Sequence, residues 1–318
     1  MGSNKAVTIL KKQGIVIAMI IVYLVFALIS RQFRSLANFL LIIRQITTIG
    51  VMAAGMTFVI IGGNFDVSVG SLLSLCGVIC IILHEQIGPV PAMLITVLAG
   101  MLSGVVSGFL VGYLKLNSMI VTLGMMNILQ AFALIITRGR NVYMADERVW
   151  FTRIGKGSLG PIPYSTIIMI IFFLIMALVL FRTKYGHHVL SVGGNAEACR
   201  FSGINDRQVI LKTFVLSGLA TGIAAIMLSS RGGSAQPTMG ESYEFDAITA
   251  VILGGTSLDG GEGNILYTLV GVVILGISKN GFVIVGLPSY VQWIAQCVIM
   301  IGAVYMDIRS KARQGGRA

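Results

Sequence analysis

Ten apolar runs, at roughly residues 14–30, 46–63, 67–84, 91–114, 119–136, 164–181, 212–230, 245–258, 264–280 and 289–306, leave a chain of 318 residues few ways to fold. About 20 apolar residues carry a helix across a bilayer, and a backbone in hydrocarbon must satisfy its own hydrogen bonds. Runs of that length, repeated end to end, dictate membrane-spanning helices. The chain is 56% hydrophobic and 11% charged, against about 25% charged in an ordinary soluble domain. The expected class is therefore all-α: a polytopic membrane helix bundle of about ten segments, forming a single transmembrane domain over residues 1–318.

Two places interrupt the pattern. Only Asn64-Phe65-Asp66 separates the second run from the third, and only Asp259 to Gly263 separates the short eighth run from the ninth. Both read as broken or re-entrant helices, whose irregular backbone must be lined by protein or water. They also echo one another. Val59-Ile60-Ile61-Gly62-Gly63 is followed by Asp66 and Gly70, and Val251-Ile252-Leu253-Gly254-Gly255 by Asp259 and Gly263. Two pseudo-repeated halves framing one pathway would produce this order, and so would chance among short glycine-rich segments.

The net charge of +11 is spread over short loops and both ends, with no soluble basic domain. It suits membrane lipid headgroups and topology setting, and excludes nucleic acid as a partner. Met1 to Asn4 reads as an unstructured leader, and the run from Gly14 as an uncleaved first span, since no small-residue cleavage site follows it. If all ten runs cross, Lys5, Lys11 and Lys12 lie on the same side as Arg309, Lys311, Arg313 and Arg317, which the positive-inside rule makes cytoplasmic. Loop 182–212 then faces the cytoplasm, and loop 137–163, with Asp146, Glu147 and Arg148 among its charges, faces outward as a docking surface or a connecting loop. Phe33, Leu36, Leu40 and Ile43, beside Arg34 and Arg44, suggest an amphipathic segment lying in the interface.

Enzyme chemistry finds no constellation. His84, His187 and His188 belong to no H-E-x-x-H, and no G-x-S-x-G occurs. Cys76 and Cys80, four apart, read as small buried hydrophobes; no metal and no cofactor is expected. With no phosphate-binding G-x-x-x-x-G-K-[ST], any nucleotide-driven work must come from a partner.

Polar residues within or beside the runs are the candidates for function, since polar groups in hydrocarbon are costly. Asp66 is placed to cap the third span and to hold the broken helix open, with Asn64, Ser68 and Ser71 beside it. Asp246, Thr249, Gly254, Gly255, Thr256, Ser257 and Asp259 mark the second break. Asn127 and Gln130 share one helix face; Ser289, Gln292 and Gln296 share another. These neutral stripes serve either as interhelical hydrogen-bond glue or as the lining of a path for an uncharged, hydroxyl-rich solute. Gly100, Gly104, Gly108 and Gly112 recur every fourth residue, a smooth stripe that lets a neighbouring backbone approach closely.

One polar stretch hangs between two membrane-length runs: Asn195-Ala196-Glu197-Ala198-Cys199-Arg200-Phe201-Ser202-Gly203-Ile204-Asn205-Asp206. Asn195 supplies an N-cap, Glu197 an acid in the first turn and Gly203 a stop, enough for about two turns of helix. So short a helix is marginal alone, and needs something to dock against.

Glu197-Ala198-Cys199-Arg200-Phe201-Ser202-Gly203 resembles the E-A-A-x-x-x-G loop of ATP-binding cassette (ABC) importer permeases, with Cys199 in place of the second alanine. Gly193-Gly194-Asn195 and Ser202-Gly203-Ile204-Asn205 resemble the ribose-type sugar permeases. So do Gly63 to Ser71, Ser234 to Thr238 with Tyr243 to Ile248, and Gly254 to Gly263. The resemblance covers residues 35 to 306. It implies a non-enzymatic permease subunit of the bacterial inner membrane that carries a monosaccharide. Its partners would be a second permease copy, a cytoplasmic ATP-binding subunit and an extracytoplasmic sugar-binding protein. It further implies that Asn195, Glu197, Ala198, Cys199, Phe201 and Gly203 couple to the ATPase. A nucleoside or other small-solute ABC permease, or a stand-alone secondary carrier, is the alternative.

Overall fold

The computed structural model describes residues 2–146 and 150–315, with side chains over 14–146 and 150–305. Glu147 and Arg148, and the side chains of Lys5, Lys11, Lys12, Arg309, Lys311, Arg313 and Arg317, lie outside the described residues.

The chain is mostly helical. In order come α1 (Gly2–Ile29), α2 (Leu36–Ile61), α3 (Val69–Ile87), α4 (Pro89–Gly112), α5 (Ser118–Thr137), the single turn α6 (Arg153–Lys156), α7 (Tyr164–Arg182), α8 (Lys184–Gly194), α9 (Ala196–Phe201), α10 (Asp206–Gly232), α11 (Tyr243–Leu253), α12 (Ile265–Ile284) and α13 (Ser289–Gly315). Seven of these, α2, α3, α4, α5, α7, α10 and α12, are long and apolar enough to cross a membrane; Gly14–Ile29 and Ser289–Tyr305 are shorter apolar stretches. A polytopic helical membrane protein is thus the architecture. Two small antiparallel ladders qualify all-α: β1 (Val142–Tyr143) pairs with β4 (Ser234–Ala235), and β2 (Ser158–Leu159) with β3 (Ile162–Pro163).

Several boundaries correct the sequence reading. Residues 2–4 begin α1 and are helical, where the sequence suggested an unstructured stretch. Phe33 to Ile43 is not a separate interfacial segment. Ser35 accepts the Asn38 N–H at 3.2 Å and starts α2 at Leu36. Asn38 is buried and donates to Asn280 Oδ1 at 2.9 Å, while Phe33 turns inward against Phe26 and Tyr23. Tertiary partners thus pull in residues whose spacing suggested a surface. The run from 212 belongs to a helix starting at Asp206, and the eighth run stops at Leu253, leaving 254–264 irregular.

Helix α10 lies at the centre, packed on α2, α3 and α4. The glycine stripe explains its closeness to α4. A Cβ at Gly104 would stand 2.8 Å from the Phe214 carbonyl carbon, one at Gly108 2.8 Å from Leu211 Cα, and one at Gly112 2.7 Å from the Arg207 carbonyl oxygen. On the other side α12 packs on α1, α2 and α11, with Thr57 and Thr268 hydroxyls 3.0 Å apart across the α2–α12 contact.

The turns gather at two ends. At one, the Phe65 N–H donates to Ser118 Oγ at 3.2 Å, Gly261 N–H to the Ile61 carbonyl at 2.8 Å, and Lys115 Nζ meets Asp206 at 2.6 Å. At the other, the Ala145 N–H donates to Glu85 at 3.1 Å, and Gln130 to the Pro237 carbonyl at 2.7 Å.

Candidate functional site

The loop helix α9 is capped as its residues dictate. Asn195 Oδ1 accepts the Ala198 N–H at 2.9 Å, and Glu197 occupies the first turn. At its end Gly203 N–H reaches the Arg200 carbonyl at 3.0 Å and Ile204 N–H the Cys199 carbonyl at 2.9 Å, a Schellman closure with Gly203 at φ +80°. Cys199 points into the core. Glu197 and Ala198 are exposed, and Phe201 is 87% exposed, so an acid and an aromatic ring stand on the outer side of the shortest capped helix.

Two structures hold this helix to the body. Asp206, whose side chain is 4% exposed, takes Lys115 Nζ at 2.6 Å and Arg200 at 2.9 Å, joining the α4–α5 turn, α9 and the start of α10. The hydrogen bond to Asp206 holds the Arg200 guanidinium above its ordinary pKa. Helix α8, which the sequence reading missed, starts on the Thr183 cap, buries Val189 and Val192, and lays Tyr185 parallel to the Phe58 ring at 6.3 Å. Burial pushes the Tyr185 phenol up.

Gly193 and Gly194, just before α9, meet both suspected helix breaks. Each break is a Schellman end. Gly63 N–H bonds the Ile60 carbonyl and Asn64 N–H that of Val59; Gly255 N–H bonds the Ile252 carbonyl and Thr256 N–H that of Val251. Gly63 at φ +75° and Gly255 at φ +79° occupy the left-handed position that admits glycine without cost. The echo in sequence is thus an echo in geometry, down to the hydrogen-bond pattern. The backbones then touch. A Cβ at Gly193 would stand 2.6 Å from Gly261 N, one at Gly260 2.8 Å from Gly63 Cα, and one at Gly261 2.7 Å from Gly194 Cα.

The other candidates fall in three places. Asn64 lies at the glycine junction and donates to the Gly62 carbonyl at 2.9 Å. Asp66 and Ser68 are buried beside it. Ser68, not Asp66, stands at the N-cap position; Asp66 accepts the Ser68 N–H at 3.1 Å, the Ser68 hydroxyl at 2.6 Å and the Ser217 hydroxyl of α10 at 3.0 Å. Ser71 and Thr249 are buried in α3 and α11, the Thr249 hydroxyl donating to the Phe245 carbonyl at 2.6 Å. Gly254 abuts Thr268, Thr256 is buried, and Ser257 accepts the Asp259 N–H at 3.2 Å, all within the turn that follows α11. Asp246, Gln292 and Gln296 come together at the opposite end of the bundle. Gln296 donates to Asp246, and Gln292 to the Leu287 carbonyl at 2.7 Å. Asn127 and Gln130 join neither group. Asn127 is exposed and donates to the Leu123 carbonyl at 3.0 Å, and Gln130 ties α5 to Pro237.

The sequence reading missed Lys279, which forms an ion pair with Asp246, and the acceptor role of Asp206. A lone lysine near the end of an apolar run was the available signal for the first. Cys76 and Cys80 are buried, and among the described residues no group of three His, Cys, Asp or Glu could hold a metal ion.

Residues 38–304 match the family described as the branched-chain amino acid transport system / permease component. The chain belongs to this permease family. It is 37% identical over 309 residues to the ribose import permease protein RbsC of Bacillus subtilis, covering 96% of this chain and 95% of that one. It is 37% identical over 299 residues to the RbsC of Haemophilus influenzae, covering 92% of this chain and 91% of the relative. The L-arabinose transport system permease protein AraH of Escherichia coli is 34% identical over 306 residues, 95% of this chain and 92% of its own. No solved structure matches. The permease is a multi-pass helical membrane protein whose relatives are transport subunits.

Proposed function

We propose that this permease forms the translocation pathway of an ABC importer for a ribose-like monosaccharide, driven by a separate cytoplasmic ATP-binding subunit. The observation that carries the reading is α9, whose exposed Glu197, Ala198 and Phe201 stand outward while Asp206 and the glycine junction hold its base. The ribose and arabinose transport named for the relatives supports the substrate class.

On this reading α9 enters a cleft on the ATPase, and closure there moves Gly193 against the two helix breaks. All ten segments cross the inner membrane, α11 and the 254–264 turn forming one interrupted passage and the 62–68 turn the other. Both termini and loop 182–212 are cytoplasmic. Loop 137–163 faces an extracytoplasmic sugar-binding protein, and a second copy of the chain completes the pathway within the lipid. Asn64, Asp66, Ser68 and Ser71 with Gly254 to Asp259 form its inner constriction; Asp246, Thr249, Gln292 and Gln296 lie toward the other mouth, and Asn127 and Gln130 on α5.

Co-expression with the ATPase encoded beside this gene, followed by co-purification, tests the reading. A stable complex is expected, and persistent failure to form one would sink it. Glu197→Arg is expected to insert normally yet lower sugar uptake at least tenfold; normal uptake in that variant removes the role of the loop.

A further inference from the structure

A cavity of about 350 Å³ opens at the end of the bundle away from α9, where α10 and α12 finish and α11 and α13 begin. That volume lies within the range of small-molecule sites. Its lining departs from the apolar surfaces around it. Behind its wall Asp246, its side chain 2% exposed, forms an ion pair with the lining residue Lys279, and Gln296, also of the lining, donates to its other oxygen. Gln292, Tyr243 and Trp293 complete the wall, with Arg231 at the end of α10.

Lys279 lies five residues before the end of α12, about 8 Å down the helix axis. An acid and an amine inside membrane helices are costly, pair with one another and mark the route of a solute. Here the acid is satisfied but the amine is not exhausted: an ammonium has three donors, and the Lys279 side chain remains 36% exposed. Gln292 and Gln296 add donor–acceptor amides, and an indole and a phenol offer flat faces. Alternating donors and acceptors beside aromatic faces suit a neutral ring that carries several hydroxyls.

Resting on the importer reading, we propose that this cavity is a sugar-binding station within the permease itself. A neutral monosaccharide is held there by Lys279, Gln292 and Gln296 and stacks on Trp293. The Asp246–Lys279 pair cancels its own charges, and the sugar's hydroxyls bond to the remaining donors of Lys279 as it enters.

Trp150 and Trp293 are the only tryptophans, so Trp150→Phe leaves Trp293 as sole reporter. The purified full-length permease in this background, without binding protein, is titrated with D-ribose, L-arabinose and D-galactose. A saturable change in Trp293 emission with at least one sugar is expected, with affinity at least tenfold weaker in Lys279→Gln and in Gln292→Ala. No saturable change with any of the three, an unaltered curve in both variants, or a response to inorganic phosphate alone overturns the station. Gln292 stands at the helix surface, so its variant keeps the test open if Lys279→Gln fails to fold. Uptake by the assembled importer separates the two readings. Full uptake with Lys279→Gln overturns the station and leaves the importer standing. A chain that never joins its ATPase overturns the importer, while the titration still decides the cavity.

Discussion

The two ends of this bundle are built on opposite plans. Around Gly63, Gly193 and Gly260 the contacts run backbone to backbone, with no side chain between them. Around Asp246 and Lys279 side chains from α11, α12 and α13 meet beside a cavity. Close-packed backbone has one way to fit, so a displacement of one segment displaces its neighbours. A side-chain bridge can exchange partners without moving a helix. One end suits the transmission of force and the other the handling of a solute.

Substitutions can break this contrast. The largest effect is expected at the glycine junction. Gly193→Val forces a branched side chain into the Ile61 and Gly261 backbones, where no flexible group can yield. Overpacking costs about 1–3 kcal/mol where side chains can shift and more where they cannot, so a cost above about 3 kcal/mol is expected. Thermal unfolding in detergent would show it as little or no folded protein, whereas Gln292→Val at the opposite end should leave the midpoint within a few degrees. A near-native midpoint for Gly193→Val would erase the distinction.

A smaller effect is expected at Asp206. Its two cations are 37% and 53% exposed and can return to water, so Asp206→Asn should cost about 1 kcal/mol in stability. It also unties α9 from the α4–α5 turn, and sugar uptake should fall several-fold at unchanged expression. A loss of uptake no larger than the loss of folded protein would show that the triad only stabilises. The smallest effect is expected at Gln130. Gln130→Ala leaves the Pro237 carbonyl without its donor, worth about 1 kcal/mol, read as a small drop in unfolding midpoint.

How much of this was legible in the sequence follows the range of each interaction. Local chemistry could be read. The Asn195 cap, the Gly203 stop and the paired Gly-Gly endings each involve groups within six residues of one another, and the three glycine endings share one hydrogen-bond pattern. The every-fourth-residue glycines announced a close neighbour, though not that it would be α10. Helix α8 was hidden because three glycines and two histidines obscure its short apolar face. Phe33 read as part of an interfacial segment because its partner, Phe26, comes from another helix. The pairs Lys279–Asp246 and Lys115–Asp206 join positions 33 and 91 residues apart, beyond any spacing rule. The junction of Gly63, Gly193 and Gly260 was beyond reach for the same reason, although each of the three motifs was singled out alone.

The seam between α4 and α10 has a mechanical consequence. With Gly104, Gly108 and Gly112 set against the backbone of Phe214, Leu211 and Arg207, the two helices cannot slide or roll without collision. They form a single strut, and α3, packed on both, is braced against it. A cycle that opens the bundle first to one side and then to the other must leave that strut intact and bend elsewhere. Both ends of α11 are likewise held backbone to backbone, Gly240 against Gly70 and Gly254 against Thr268, so α11 moves together with its neighbours.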